Sequence, residues 1–167
     1  MNILVTAASK HGATMEIAEA IGRGLSGAGL AAVVRPVDEV HDLTGFGAVV
    51  LGSAVYMGRW LEPARSFAAD NAAALLAVPV WLFSSGPIGE PPRPEAGKAV
   101  DVAGLMETTG ARAHQLFAGR LDRHRLGFGE RAVMVAFGAK DGDFRDWDAI
   151  AAWAGEIAAG VAAAPQS

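Results

Sequence analysis

The sequence predicts an α/β fold in which a five-stranded parallel sheet lies between two layers of helices. Three observations lead to this prediction. Apolar runs of strand length alternate along the chain with longer segments whose apolar residues recur at helical spacing. The third and fourth of these runs are apolar throughout, which is typical of parallel strands covered on both faces. The length, 167 residues, suits one domain, and we expect residues 1–161 to form it and 162–167 to be a frayed tail.

The first half of the chain is expected to contain three strands and one helix. The strands are 3–6, 31–35 and 48–52, and the last has the composition of a central strand. Between the first two, apolar residues recur at helical spacing over 15–25. The connection 37–45 is expected to be a loop with a partial helical turn.

The second half is expected to contain the remaining two strands and three helices. Pro63 is compatible with the first turn of a helix, and Asp146 is a suitable capping residue for the last one. Periodicity alone leaves 131–139 open as strand or helix. The predicted elements are helix 62–76, strand 80–84, helix 98–109, strand 114–118 and helix 147–161.

Composition excludes several classes of function. The chain has no cysteine, so it has no disulfide, thiolate metal site or iron–sulfur cluster. Its formal charge of −4 argues against nucleic acid as a partner. The four histidines lack the spacing of a metal site, so no metal is expected. No apolar run has the length of a membrane span, and residues 1–5 lack the basic start of a signal peptide, so a cytoplasmic protein is expected.

Parallel sheets bind ligands at the carboxyl ends of their strands, which directs attention to the loops there. The first loop joins a predicted strand to the start of a helix, where backbone N–H groups and the helix dipole attract an anion. Its small and hydroxylated residues suit a single phosphate, whereas an ordinary capped turn is the alternative. The candidate residues are Ser9, Lys10, His11, Gly12, Ala13 and Thr14.

The loop after the third strand carries two aromatic residues between glycines, which suits a flat ring. Tyr56 is expected to stack on such a ring and Trp60 to wall the site; alternatively, Trp60 packs under a helix and Tyr56 is a surface residue. The candidate residues are Ser53, Ala54, Val55, Tyr56, Met57, Gly58 and Trp60.

The loop after the fourth strand offers backbone amides that could bond the polar edge of a planar ligand, and a simple turn is the alternative. Its candidate residues are Ser84, Ser85, Gly86, Pro87, Ile88 and Gly89.

Several of these residues together resemble a known family. The pattern Ser9-x-x-Gly12-x-Thr14, continued by Ala18 and Ile21, is similar to the second part of the flavodoxin signature. Three further stretches resemble the flavodoxin-domain group that includes menaquinone-dependent protoporphyrinogen oxidase. These are 52–58, 117–121 and the segment from Asp146-Trp147 to Ile150 and Trp153.

This resemblance implies a flavodoxin-like three-layer sandwich with strand order 2-1-3-4-5 and bound FMN. The FMN phosphate would lie on residues 9–14, and its ring between 53–60 and 84–89. The implied function is an oxidoreductase that passes electrons or hydride through FMN. The partner would be a redox protein, a quinone or a small-molecule substrate. An electron-carrier flavodoxin and a flavin-free binding or regulatory module on the same fold are the alternatives.

An arginine cluster follows the fifth predicted strand. Arg120, Arg123 and Arg125 could hold a carboxylate-bearing substrate near the ring, because the planar guanidinium bonds a carboxylate through two N–H groups. The alternative is a solvated loop paired with nearby acids. No side chain in the sequence stands out as a catalytic acid or base, so the catalytic residues are unassigned.

Overall fold

The computed structural model describes residues 1–86, 102–118, 120–121, 142–143 and 145–164. Strands alternate with helices through most of the described chain. The strands are β1 (Asn2–Ala8), β2 (Ala31–Pro36), β3 (Phe46–Tyr56), β4 (Arg59–Trp60), β5 (Val80–Ser85), β6 (Ala113–Phe117), β7 (Arg120–Leu121) and β8 (Gly142–Asp143). The helices are α1 (Ala13–Gly27), α2 (Glu62–Asp70), α3 (Ala72–Leu76), α4 (Ala103–Thr109) and α5 (Trp147–Ala163), with a 3₁₀ turn at Val37–Glu39.

Five parallel strands form the main sheet in the order β2-β1-β3-β5-β6. Counting only these five, the order is 2-1-3-4-5, so the predicted sheet and its topology are confirmed. The predicted partial turn after the second strand is the 3₁₀ turn, and Asp146 caps α5 by accepting a hydrogen bond from the Ala149 amide at 3.0 Å. Helix α5 continues to Ala163, two residues beyond its predicted end.

Apolar side chains cover both faces of the sheet, as expected for strands that are apolar on both faces. Helices α1 and α5 pack on one face against alternate residues such as Val5, Val50 and Phe83. Helices α2, α3 and α4 pack on the other face against the intervening residues, such as Leu4 and Leu82. The helix-sheet-helix arrangement is therefore the three-layer sandwich that was predicted.

Gly52 makes room for an aromatic ring in the middle of the sheet. It lies beside Phe83 in the register of β3 and β5. A Cβ atom added to Gly52 would lie 2.2 Å from the Phe83 ring, so no side chain fits there. The ring in turn packs edge-on against Trp153, with centroids 6.2 Å apart. The glycine is thus required by core packing.

The structure corrects the prediction of a loop over 53–60. Strand β3 continues to Tyr56 and turns back through β4, pairing Val55 with Trp60 and Tyr56 with Arg59. Met57 and Gly58 both have positive φ, 54° and 75°, as a two-residue type I′ hairpin turn requires. The turn depends on a non-glycine residue in the left-handed region, which sequence patterns do not predict. This feature is called the β3–β4 hairpin below.

The predicted helix 62–76 is divided into α2 and α3. The break is at Asn71, whose φ of −112° is outside the helical range. Its side-chain amide donates to the Phe67 carbonyl at 2.9 Å, as does its own backbone N–H at 3.1 Å. Asparagine side chains compete in this way with regular helical bonding, which explains the break.

Two predicted segments lie partly or wholly outside the described residues. The described part of helix 98–109 is α4, and the segment 131–139, left open as strand or helix, lies outside the described residues. Strands β7 and β8, which were not predicted, form a separate antiparallel pair that joins Arg120 to Asp143. Within the described ranges, no helix combines the length and apolarity needed to cross a membrane.

Candidate functional site

The carboxyl ends of four parallel strands form one edge of the sheet. Ala8 of β1 lies beside Ser53 of β3, and Ser53 lies beside Ser84 of β5. Ser85 then lies beside Phe117 at the end of β6. This register brings the three predicted loops to one place on the molecule.

The first loop leads into α1 through a glycine that no other residue could replace without strain. Gly12 is the residue preceding α1 and has a φ of 87°. Its amide donates to Ser9 Oγ at 3.0 Å, which closes the turn. No heavy atom lies within 4 Å of the place where a Cβ would stand, so open space adjoins the helix start. The first turn of α1 has no side-chain cap, as expected where its N–H groups serve a ligand.

The other members of this loop differ in exposure. Lys10 and Gly12 are exposed, whereas Thr14 is buried in the first turn of α1. His11 and Ala13 have intermediate exposure. A phosphate bound here would therefore meet backbone amides and the outer side chains, with Thr14 beneath them.

The β3–β4 hairpin presents Tyr56 to the first loop. Tyr56 is 39% exposed, and the ammonium of Lys10 lies 5.2 Å from the centre of its ring. This separation is within the range of a cation–π interaction. The structure thus brings the predicted anion loop and the predicted ring loop into contact.

Trp60 is placed in the core. It is 2% exposed and packs on the α2 face of the sheet with residues such as Phe67. This is the packing alternative considered for it in the sequence, with Tyr56 as the surface member of the pair. The Trp60 ring joins the same apolar layer as Phe67, and removal of its apolar surface from water explains the burial.

Ser53 holds the hairpin closed. Its hydroxyl accepts the Leu61 amide at 3.0 Å and donates to the Ala54 carbonyl at 2.7 Å. Val55 is buried, Ala54 and Gly58 are intermediate, and Met57 is exposed at the tip. Direct contact of these residues with a ligand stays a prediction, and the hydroxyl of Ser53 is already engaged.

Ser84 is buried and bonded on two sides. Its hydroxyl lies 2.7 Å from Trp60 Nε1 and 2.7 Å from His114 Nε2. Burial lowers the pKa of His114 below its ordinary value, so the ring favours the neutral form. His114 was predicted only as a strand residue, because its partner is distant in sequence.

The third predicted loop is described only at its start. Ser84 and Ser85 belong to β5, and Gly86 follows with a φ of 57°, its amide bonded to the Phe117 carbonyl at 2.9 Å. The remaining candidates, Pro87, Ile88 and Gly89, lie outside the described residues, as do Arg123 and Arg125. Arg120 lies in β7.

Arg145 is a site neighbour that the sequence did not single out. Its guanidinium contacts the carboxylate of Glu16 and lies 3.5 Å from the Ala13 carbonyl, both in the first turns of α1. It also lies over the Trp147 ring, 4.6 Å from its centre, and its side chain is only 5% exposed. A buried cation beside the helix start raises the local positive potential. No local motif announces a contact across 129 residues.

Within the described ranges, no group of three or more His, Asp or Glu side chains could hold a metal ion. In the same ranges, Thr6 Oγ1 is the buried side-chain polar atom that lacks a hydrogen-bond partner. The site therefore consists of backbone amides, hydroxyls, one exposed aromatic ring and nearby cations.

Doubly wound α/β proteins with this strand order form a class in which ligands bind at the carboxyl edge of the sheet. The family model for the flavodoxin domain matches residues 4–147, so the chain belongs to the flavodoxin domain family. No curated protein matches the chain.

Solved structures agree on the fold. A flavodoxin from the domain Archaea is 19% identical, with a TM-score of 0.64 over 97% of this chain and 99% of that one. A flavodoxin from Streptococcus pneumoniae is 20% identical, with a TM-score of 0.65 over 96% and 99%. Rubredoxin oxygen:oxidoreductase from Desulfovibrio gigas is 14% identical, with a TM-score of 0.67 over 97% of this chain and 36% of that one. At these identities the likeness establishes the fold alone.

Proposed function

We propose that the protein binds FMN and passes electrons or hydride through it as an oxidoreductase. The observation that carries the proposal is the contact between the first loop and the β3–β4 hairpin, made by Lys10 over Tyr56. The predicted phosphate loop and an exposed aromatic ring are thereby adjacent. Membership of the flavodoxin domain family supports the same cofactor.

The residues present fit FMN. The N–H groups at the start of α1 would hold the phosphate, assisted by the space beside Gly12. Tyr56 would stack on the ring, and the segment beginning at Ser85 and Gly86 would face it from the other side. When bound, FMN supplies the redox chemistry, either hydride or single-electron transfer. The protein's part is to bind, orient and shield the flavin.

Flavin release identifies the cofactor. Heating purified protein and comparing the released flavin with standards should give FMN, because the chain has one phosphate loop and no glycine fingerprint for a pyrophosphate. Protein purified without flavin should take up FMN and become yellow. Recovery of FAD alone, or no uptake of FMN by folded protein, would refute the proposal and favour the flavin-free module.

A second candidate function is that of an electron-carrier flavodoxin. It is favoured by the similarity to solved flavodoxins over nearly their whole length. Against it, the chain's charge of −4 is small for such a carrier, as the resemblance implies. An enzyme should oxidise or reduce a small molecule or quinone in repeated turnover, whereas a carrier should exchange electrons only with a protein partner.

The substrate of the oxidoreductase is proposed to be anionic, held by Arg120, Arg123 and Arg125. Two reactions are to be tested: quinone-coupled oxidation of a carboxylated substrate, as the resemblance to the menaquinone-dependent protoporphyrinogen oxidase group implies, and reduction of a quinone. Replacing Arg123 and Arg125 by Ala should slow flavin reduction or reoxidation by an anionic reactant. The wild-type rate should also fall as salt is raised. Equal rates at low and moderate salt would exclude this role.

A further inference from the structure

One buried hydroxyl connects three strands of the fold. Trp60 of β4, Ser84 of β5 and His114 of β6 form a continuous hydrogen-bond chain with both links at 2.7 Å. Trp60 and Ser84 are buried, and His114 is of intermediate exposure. All three lie on the sheet face covered by α2 and α4.

Donor and acceptor chemistry gives this chain a direction. The indole N–H can only donate, so Ser84 Oγ accepts from Trp60. The single Ser84 hydroxyl hydrogen is then available for His114 Nε2, and this arrangement uses the hydroxyl in both links. It requires a neutral His114 that carries its hydrogen on Nδ1. In the other tautomer Ser84 would accept twice, and its own hydrogen would be left without either of these partners.

The hydrogen-bond chain of Trp60, Ser84 and His114 joins the two segments that face the proposed ring site. Trp60 ends the β3–β4 hairpin and pairs with Val55, the residue before Tyr56. Ser84 directly precedes Ser85 and Gly86, where the third loop begins. The Trp60–Ser84 bond thus ties the end of the hairpin to the end of β5, and its loss would leave the buried indole N–H without this acceptor.

We propose that the Trp60–Ser84–His114 chain is a positioning device that sets the spacing of the two flavin-facing segments, with His114 in the Nδ1–H tautomer as its anchor. The proposal rests on the proposed function for its flavin part. Its structural part, the tautomer and the coupling of the two segments, holds in the protein without flavin. His114 and Ser84 act through the segments and need no contact with the flavin.

The first experiment uses flavin-free protein and nuclear magnetic resonance. Long-range ¹H–¹⁵N spectra at about pH 7.5 should show His114 neutral with hydrogen on Nδ1. Ser84→Ala should shift the Trp60 indole signal and the backbone amides of both the hairpin and Gly86. His41→Gln, which changes an exposed histidine elsewhere, should leave these signals in place. Hydrogen on Nε2, or amide changes confined to one segment, would overturn the proposal.

The second experiment measures FMN dissociation constants and the absorption shape of bound flavin. Ser84→Ala and His114→Phe should weaken binding by about tenfold, the effect of one lost buried hydrogen bond. His114→Gln retains an acceptor for Ser84, so its affinity should stay within about twofold of wild type. Thermal unfolding of each variant identifies any that does not fold.

The two experiments separate the possible failures. Normal FMN binding in all folded variants would overturn the positioning role and leave the proposed function intact. Absence of FMN binding by wild-type protein would refute the proposed function and the flavin part. The tautomer of His114 and the amide shifts in both the hairpin and Gly86 would still test the structural part of the proposal.

Discussion

The Lys10 ammonium lies over the Tyr56 ring, 5.2 Å from its centre, and so joins two loops that follow different strands. The register brings them together, because Ala8 at the end of β1 lies beside Ser53, three residues before Tyr56 in β3. A cation held there is close to the start of α1 and to an exposed ring at once. This arrangement matches a ligand with an anionic end and a planar end.

Tyr56 should control the emission of bound flavin. Stacking on an aromatic ring quenches flavin fluorescence, so Tyr56→Ala should restore part of it, whereas Tyr56→Phe should not. Titration of FMN fluorescence measures both affinity and emission. Leu76→Ala, which shortens an exposed apolar side chain on α3, is the control. Unchanged emission and absorption shape in Tyr56→Ala would show that the ring is only a surface residue.

Gly12 should be required for phosphate binding in a way that Gly29 is not. Both have a φ of 87°, and neither has a heavy atom within 4 Å of an added Cβ. Aspartate at either position therefore carries similar backbone strain, but only Gly12→Asp places a carboxylate at the start of α1. At an effective dielectric constant of ~20, we expect it to weaken FMN binding by about a hundredfold or more.

Gly29→Asp should keep the wild-type FMN affinity and lose about as much thermal stability as Gly12→Asp. Calorimetric titration with FMN and thermal unfolding separate the two effects. Micromolar or better affinity in folded Gly12→Asp would show that the phosphate is held elsewhere.

Arg145 should support anion binding by compensating Glu16. Arg145→Met removes the cation that contacts Glu16 near the start of α1, and we expect about threefold to tenfold weaker FMN binding at low salt. Adding Glu16→Gln should recover most of the loss. Arg112→Met is a matched control, because Arg112 also lies over a tryptophan, 5.5 Å from the Trp81 ring centre. Equal losses in the single and double variants would contradict this account.

Stability should fall in mild acid because of His114. Burial lowers the pKa of its ring in the native state, whereas the unfolded chain binds the proton near the ordinary value of about 6.5. The unfolded state therefore holds more protons below that pH, and native stability decreases as pH falls through the lowered pKa. The free energy of unfolding can be measured with denaturant at several pH values between about 6.5 and the lowered pKa. Over this pH range it should change more steeply with pH in wild type than in His114→Gln. His41→Gln should follow wild type.

Thr6→Val should stabilise the fold. Thr6 is fully buried in β1 and its hydroxyl has no hydrogen-bond partner, so valine removes an uncompensated polar atom at constant shape. We expect a gain of about 1 kcal/mol in the free energy of unfolding. Thr109→Val is the contrast, because the equally buried Thr109 hydroxyl donates to the Leu105 carbonyl at 2.7 Å. That variant should lose stability; a loss in Thr6→Val would contradict the argument.

The strands could be predicted because local composition determines them, whereas their order was implied by the resemblance to the flavodoxin family. Runs such as 48–52 are apolar on both faces, and this property is visible without knowledge of any partner. The division of helix 62–76 at Asn71 depends on one side-chain bond to Phe67, which no periodicity reveals. The hairpin depends on Met57 adopting a positive φ, which few methionines do.

The site could be predicted only as far as each loop could be considered alone. Ser9 to Thr14 has the character of an anion loop within six consecutive residues. The position of Trp60 instead depends on Ser84, 24 residues away, and that of Arg145 on Glu16, 129 residues away. Such contacts arise from the topology, so they became visible only when the strands were assembled.

The fit of the Phe83 ring over Gly52 limits how the sequence can change in evolution. Gly52 opens the motif that continues to Tyr56, and a comparison of motifs alone would assign it to ligand binding. Because an added Cβ would lie 2.2 Å from that ring, the two positions are expected to change together. A descendant that gains a side chain at 52 must carry a smaller residue at 83, even if it has lost its ligand.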